Sequence, residues 1–255
     1  MTVELPVLLG LSLAAFAAGF VDAIAGGGGL IQLPPLLAVV GPGLAPGTNK
    51  LSSICGTTTA LVRYARHGSV RWRVVALVGP VAFAAALAGS LGYLEVVRRH
   101  ATHVEPVFAI VFLALAADQV RRTLGPGRER AARPPRPGPG MLFAAGVALY
   151  DGAIGPGTGM FLFWTFSTWF ALTPLEATGT TKAVNALTNA GSLVAFVARG
   201  AVLWPLALAM AASNVVGGAL GARSAIRHGV ALIRVVTAVA CAGAAVYLLV
   251  RWASR

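Results

Sequence analysis

Two lysines are the side chains of this chain that most clearly imply chemistry, because every other permanently positive residue is an arginine. Lys50 ends the segment Gly47-Thr48-Asn49-Lys50, and Lys182 ends the similar segment Gly179-Thr180-Thr181-Lys182. Each lysine begins a largely apolar stretch. A lysine inside a bilayer costs roughly 2.5–3.5 kcal/mol on insertion scales, so both ammonium groups need compensation.

An aspartate and a glycine cluster lie upstream of each lysine. Asp22 precedes Gly26-Gly27-Gly28-Gly29, and Asp151 precedes Gly155-Pro156-Gly157-Thr158-Gly159. One interpretation is structural: the lysines reach the membrane surface or pair with the aspartates. The other is functional: the lysines supply positive potential to an anion, with nearby hydroxyl and amide groups as further donors. Both interpretations can hold together.

The glycine clusters also allow two interpretations. They could let backbone amides and the N-termini of broken helices approach an anion, or they could serve close helix packing. Because the breaks occur at corresponding positions in both halves, we favour the binding site. The aspartates could accept and release protons or only neutralise the lysines. The substrate-binding candidates are Gly27, Gly28, Gly29, Thr48, Asn49, Lys50, Gly157, Thr158, Gly159, Thr180, Thr181, Lys182 and Asn185, with Asp22 and Asp151 as candidate coupling residues.

The composition places these residues in a membrane protein. The chain has 255 residues, of which 57% are hydrophobic and 11% charged, whereas soluble domains carry about 25% charged residues. Apolar runs recur at about the 20 residues that cross a bilayer. The net charge of +12 comes from arginines between these runs, which indicates membrane topology and argues against nucleic-acid binding. We therefore predict an all-α membrane protein embedded in the lipid bilayer.

No enzyme, metal or cofactor is predicted. The two cysteines, Cys55 and Cys241, lie inside apolar segments, and the four histidines lie in or near loops without metal-ligand spacing. Neither glycine cluster fits a nucleotide-binding motif, since no strand–helix alternation surrounds it.

The chain divides into two repeats. Residues 121–140 carry six arginines and five prolines and are predicted to form an exposed cytoplasmic linker. Residues 1–120 form the first transmembrane repeat, and residues 141–255 form the second. Apolar segments fall roughly at 5–25, 28–41, 50–62, 74–97 and 104–120, then at 141–154, 159–172, 183–198, 202–222 and 231–250.

Arginine placement predicts that the repeats are inverted. Four arginines (63, 66, 71 and 73) lie in one loop, but the matching loop of the second half has only Arg199. Counting crossings from a cytoplasmic linker puts thirteen arginines inside and five outside. Both termini are then outside. The short segments 28–41 and 159–172 suggest glycine-broken or re-entrant hairpins, and the sequence leaves open whether they re-enter or span fully.

The motifs resemble those of the sulfite exporter TauE/SafE family. Residues 19–29 with the Gly47-to-Lys50 segment look like its first repeat. Tyr150-Asp151-Gly152, the second glycine cluster and the Gly179-to-Lys182 segment look like its second repeat. The resemblance implies a multi-pass transporter of the bacterial inner membrane that moves sulfite, organosulfonates or related anions, generally outward. Together with the apolar surface, it suggests a homodimer.

The hypothesis from the sequence is a secondary transporter that exports small sulfur-containing anions by alternating access. The main alternative is a proton- or cation-coupled carrier of another small solute, centred on Asp22 and Asp151. A membrane-embedded enzyme would need a catalytic constellation that the sequence does not show, and a channel would give flux that does not saturate. The sequence does not determine which anion is carried, the direction of net flux or whether protons move.

Replacing Lys50 or Lys182 with alanine is expected to abolish transport while the protein still inserts into the membrane. Uptake into vesicles, with membrane insertion checked in parallel, measures this. Near-normal transport by either variant would remove that lysine from the mechanism.

Overall fold

The computed structural model describes residues 4–124 and 134–228, and this part of the chain is built from α-helices without strands. The apolar segment 231–250, residues 125–133 of the linker and both chain ends lie outside the described residues. So do Arg234, Arg251, Arg255 and Cys241, and with them the predicted position of the termini. The seven helices are α1 (Leu5–Ala25), α2 (Gly28–Arg66), α3 (Trp72–Leu124), α4 (Pro137–Ala153), α5 (Thr158–Trp169), α6 (Pro174–Ala198) and α7 (Trp204–His228).

Four helical segments are long and apolar enough to cross a membrane, judged by length and composition within the described residues. They are Leu5–Ile24, Gly28–Arg66, Trp72–His100 and Trp204–His228. α3 departs from helical geometry at His100, so its first part is the candidate span. These findings support the predicted all-α membrane protein.

Glycines interrupt the helical geometry at the C-terminal end of α1 and within α2. α1 ends at Gly26, whose φ of 80° is left-handed and whose N–H bonds the Asp22 carbonyl. α2 is broken at Gly41, with φ 72°, directly before Pro42. The segment between these breaks, residues 28–40, rises only about 20 Å at 1.5 Å per residue. That is too short for a hydrocarbon core of about 30 Å.

The second half has a matching break. Gly155 and Gly157 have φ of 91° and 82°, and α5 has 12 residues, which rise about 18 Å. α6 begins at Pro174 after Thr173, and the Glu176 carboxylate accepts a hydrogen bond of 3.1 Å from the Thr173 N–H.

Both lysines lie inside helices rather than at the start of one. Lys50 follows Pro42 by eight residues in α2, and Lys182 follows Pro174 by eight residues in α6. Pro46 and Gly47 look like loop residues in the sequence, yet α2 continues through them. Proline is tolerated in membrane helices when neighbouring groups satisfy the freed backbone. Each lysine side chain therefore extends from a regular helix, and the packing of that helix against its neighbours determines how deeply the lysine is buried.

A pair of hydroxyl contacts occurs at positions that the sequence repeat relates. Thr48 Oγ1 accepts a hydrogen bond of 3.0 Å from the Leu203 N–H. Thr180 Oγ1 accepts one of 3.1 Å from the Arg71 N–H. Each bond ties the helix that carries one lysine to the segment before a helix of the other half.

Close backbone contacts lie beside these hydrogen bonds. A Cβ at Gly47 would come within 2.1 Å of the Ala201 carbonyl oxygen, and one at Gly179 within 2.4 Å of the Ser69 carbonyl oxygen. Two buried apolar clusters flank the contacts, one containing Leu36 and Met210, the other containing Phe166. The halves are thus packed backbone against backbone.

Adding a methyl group at these contacts should destabilise the fold, because carbonyl oxygens of a packed backbone cannot move aside. We expect Gly47→Ala and Gly179→Ala each to cost about 1–3 kcal/mol or more of unfolding free energy. The matched control is Gly146→Ala in α4, where nothing lies within 4 Å of the added Cβ. It should be neutral or gain up to about 1 kcal/mol from helix propensity. Melting temperatures in detergent measure all three, and equal losses for Gly47→Ala and the control would contradict the packing argument.

Candidate functional site

Each lysine forms an ion pair with the aspartate of the other half. Lys50 Nζ lies 2.8 Å from Asp151 Oδ2, and Lys182 Nζ lies 3.0 Å from Asp22 Oδ2. Both ammonium groups are buried, with side-chain exposures of 5% for Lys50 and 1% for Lys182. Because a buried charge is tolerated only with a partner, each half supplies what the other half needs.

The two pairs differ in how firmly the lysine is held. Lys182 Nζ donates hydrogen bonds to both the Asp22 carboxylate and the Asp22 main-chain carbonyl. The Lys50–Asp151 contact is close, but Asp151 Oδ2 has no hydrogen-bond partner among the described residues. We interpret this contact as an ion pair without directed hydrogen-bond geometry. Lys50 is consequently freer to change its partner.

Threonine hydroxyls complete the bonding of the carboxylates. Thr57 Oγ1 donates to Asp22 Oδ2 at 3.3 Å, and Thr158 Oγ1 donates to Asp151 Oδ1 at 2.7 Å. Each carboxylate is therefore held by one lysine and one threonine side chain.

A small polar cavity lies between the two halves at these ion pairs. Its volume is about 30 Å³, room for roughly two or three water-sized positions. Twelve lining residues belong to the motifs found in the sequence: Asp22, Gly26, Gly28, Gly29, Asn49, Lys50, Asp151, Gly155, Gly157, Thr158, Gly159 and Asn185. The cavity is also lined by Ala18, Ser53, Thr57, Asn189 and Asn214.

The N-termini of α2 and α5 meet at the cavity. Gly26 and Gly159 touch, since a Cβ on Gly26 would lie 2.6 Å from Gly159 Cα. The backbone N–H groups of Gly28, Gly29 and Gly159 make no hydrogen bond within the described residues. Two positive helix ends with free donors therefore face the same small space, which favours a negative group.

Amide side chains add to the cavity wall. Asn49, Asn185 and Asn189 line it, and Asn49 Oδ1 is buried without a hydrogen-bond partner in the described part of the chain. The oxygen and nitrogen of an amide are assigned from the hydrogen-bond network, so Asn49 can offer a ligand either an acceptor or a donor. The arrangement suits a compact ligand with several oxygen atoms.

Five predicted binding residues do not line the cavity: Gly27, Thr48, Thr180, Thr181 and Lys182. The Thr48 and Thr180 hydroxyls accept the backbone hydrogen bonds described above, and Lys182 lies behind Asp22. Thr181 Oγ1 is buried without a partner among the described residues. Residues 4–124 and 134–228 contain no group of three His, Cys, Asp or Glu that could hold a metal ion.

Four polar lining residues are absent from the binding residues predicted from the sequence: Ser53, Thr57, Asn189 and Asn214. Ser53 and Thr57 follow Lys50 by three and seven residues, so they share its helix face. Helical periodicity would have found them had α2 been predicted to continue through Lys50. Asn214 carried a weaker signal, a lone amide in the apolar helix α7.

Comparison with known proteins agrees with this geometry. The family model for the sulfite exporter TauE/SafE matches residues 11–248. The chain belongs to the TauE/SafE family. This confirms the resemblance carried by the glycine and lysine motifs, and with it a membrane transporter as the general activity.

Curated TauE/SafE relatives are similar along nearly the whole chain. A probable membrane transporter protein ORF9 of Sinorhizobium sp. is 33% identical over 94% of this chain and 91% of its own length. The probable membrane transporter protein YfcA of Escherichia coli K12 is 32% identical over 90% and 85%. A probable membrane transporter protein of Haemophilus influenzae is 30% identical over 92% and 91%. No solved structure matches the chain.

The crossed ion pairs predict a specific pattern of energetic coupling. Removing one partner of a buried pair should cost about 3–5 kcal/mol, because the other charge is left uncompensated. In double-mutant cycles, Lys50→Met should couple to Asp151→Asn, and Lys182→Met to Asp22→Asn, by up to about 3 kcal/mol. Unfolding free energies in detergent measure the cycles. The control cycles are Lys50 with Asp22 and Lys182 with Asp151, and stronger coupling there would show that the pairs are assigned wrongly.

Proposed function

We propose that this chain is a secondary transporter that exports small sulfur oxyanions, such as sulfite or a small organosulfonate, across the bacterial inner membrane. The observation that carries the proposal is the donor-rich cavity shared by the two halves. It is lined by glycines whose backbone amides make no hydrogen bond within the described residues, by four asparagines and by Lys50. Such donors match an oxyanion, which offers several acceptor oxygens within a small volume.

The size of the cavity supports a compact ligand. A volume of about 30 Å³ suits a sulfite-sized anion better than a long sulfonate. Larger anions would need the helix ends to separate, which is what opening toward one side of the membrane would do.

In this proposal the two lysines have different roles. Lys50 lines the cavity and makes only an ion pair with Asp151, so it can exchange Asp151 for a substrate oxygen. Lys182 is bonded twice to Asp22 and does not line the cavity. Lys182 therefore acts by holding Asp22 and the end of α1 in place.

Transport proceeds by alternating access between two inverted repeats, with the linker cytoplasmic and both termini outside. Support comes from the contacts that occur twice, the Thr48–Leu203 and Thr180–Arg71 hydrogen bonds and the crossed ion pairs. A binding site at the interface of two related halves is typical of such transporters. The apolar outer surface and family analogy also favour a homodimer.

Membrane potential is a sufficient driving force for export. An inside-negative potential favours the exit of a monovalent anion by about 2.3 kcal/mol per 100 mV. A proton gradient is then not required.

A second candidate is a proton- or cation-coupled carrier centred on the aspartates. It is favoured by one observation: both Asp22 and Asp151 line the cavity, whereas only one lysine does. In that case Asp→Asn variants would be inactive and lysine variants only weakened.

Ligand-induced thermal stabilisation of the purified protein tests the proposal, because a bound ligand raises stability by mass action. The ligands are sulfite, thiosulfate, sulfate, sulfoacetate, taurine and chloride. We expect a saturable shift with a compact sulfur anion that is lost in Lys50→Met. The matched control is Arg99→Met, which removes an exposed cation from α3 and should leave the shift unchanged.

Transport into liposomes separates the candidates. Loss of anion flux in Lys50→Met, with flux retained in Arg99→Met, would support the anion site. Flux retained in Lys50→Met, or the absence of a shift with any sulfur anion, would favour the aspartate-centred carrier.

A further inference from the structure

A buried cluster of neutral polar side chains adjoins the cavity on the side of the first half. Asn214 of α7 lines the cavity, and its Nδ2 donates to Gln32 Oε1 at 2.8 Å and to Ser52 Oγ at 3.4 Å. Gln32 and Ser52 have no exposed surface, and Asn214 is 3% exposed. Gln32 Nε2 has no hydrogen-bond partner among the described residues.

The second half has apolar residues at the corresponding positions. In the register that pairs Gly28 with Gly157, Gln32 corresponds to Phe161. In the register that pairs Lys50 with Lys182, Ser52 corresponds to Val184 and Asn214 to Ala82, whereas the first register pairs Asn214 with Ala85. Phe161, Val184, Ala82 and Ala85 all belong to the hydrophobic cluster around Phe166. The fold can therefore be built without polar groups here, and buried polar groups in a membrane point to function.

The hydrogen bonds determine which atom Asn214 offers to a ligand. Both of its N–H groups face acceptors within the cluster, so Oδ1 is the atom that remains. Oδ1 lies between two glycines, and a Cβ would be 2.6 Å away on Gly19 and 1.9 Å away on Gly56. A carbonyl oxygen can accept from the Cα–H groups of these glycines, whereas an NH₂ group would place hydrogen against hydrogen. The contacts of Nδ2 and the contacts of Oδ1 thus indicate the same orientation of the Asn214 amide.

We propose that Asn214 is a specificity residue, a fixed neutral hydrogen-bond acceptor beside the donors and the two lysine-paired carboxylates of the cavity wall. Gln32 and Ser52 are the positioning residues that hold its amide. The inference rests on the proposed anion site and names its preferred ligand class. The cavity favours compact oxyanions that carry a proton donor, such as hydrogen sulfite, over anions of the same charge without one.

The charged groups around the cavity are the same in the wild-type protein and in the variants that test Asn214. They are Asp22 on α1, Lys50 on α2 and Asp151 on α4, with Lys182 on α6 behind Asp22. A comparison at constant ligand charge and constant pH therefore isolates Asn214. Chlorate is a suitable probe, because it is a compact pyramidal monoanion with three oxygens and no proton.

The experiment compares the dissociation constants of hydrogen sulfite and chlorate, measured separately with the purified protein slightly below neutral pH. Under these conditions most sulfite is the singly protonated anion. Asn214→Leu removes the acceptor at similar volume, and Gln32→Met frees the Asn214 amide to turn. Thr165→Val is the matched control, since Thr165 is buried and bonds only its own helix, at Phe161, outside the cavity.

We expect Asn214→Leu to reduce the preference for hydrogen sulfite over chlorate by roughly two- to tenfold, the value of one hydrogen bond. Gln32→Met should reduce it by a smaller factor, and Thr165→Val should leave it unchanged. Because the preference is a ratio within one variant, a general loss of stability does not alter it.

Two results would overturn the inference in different ways. In the first, both anions bind, but the ratio of their dissociation constants is the same as in the wild type in each of Asn214→Leu and Gln32→Met that folds. The inference then fails and the anion site stands. If neither anion binds the wild-type protein, the proposed function fails and the inference with it.

Discussion

The crossed ion pairs between the two halves are the constraint on which the rest of this structure depends. Lys50 pairs with Asp151 and Lys182 with Asp22, and all four groups lie where an unpaired charge is costly. Each half by itself would contain one lysine and one aspartate without a partner. The two halves must therefore assemble around a common centre, in which both lysine side chains are buried.

Close backbone packing makes the crossed pairing possible. Gly26 contacts Gly159, and Gly47 and Gly179 lie against carbonyl groups of the other half. The same contacts bring two helix N-termini together beside the ion pairs, where the amides of Gly28, Gly29 and Gly159 make no hydrogen bond in the described part of the chain. A polar cavity results from the way the halves pack, and in the proposed function the groups that stabilise the interface are also those that would face the ligand.

Overall neutrality and local asymmetry both bear on the proposed transport cycle. The two lysines and two aspartates sum to zero charge, so an empty site can reorient without moving charge through the membrane potential. A bound anion adds the charge on which the potential acts. The half-sites are nevertheless unequal: Lys50 faces the cavity and Lys182 does not, and the cluster of Gln32, Ser52 and Asn214 exists on one side only. A substrate would therefore bind in one preferred orientation.

The sequence by itself determined the class of the protein, the repeated motifs and most residues of the cavity wall. Composition and motif spacing carry this information directly, because charged residues are excluded from lipid and glycines mark breaks in helices. It did not determine which aspartate pairs with which lysine, since pairing across the halves depends on how the repeats face each other. Nor did it separate Thr48 and Thr180 from the cavity, or find Ser53, Thr57 and Asn214. Those assignments depend on the continuation of α2 through Pro46 and on the angle at which α7 packs against α1 and α2, which only the tertiary structure decides.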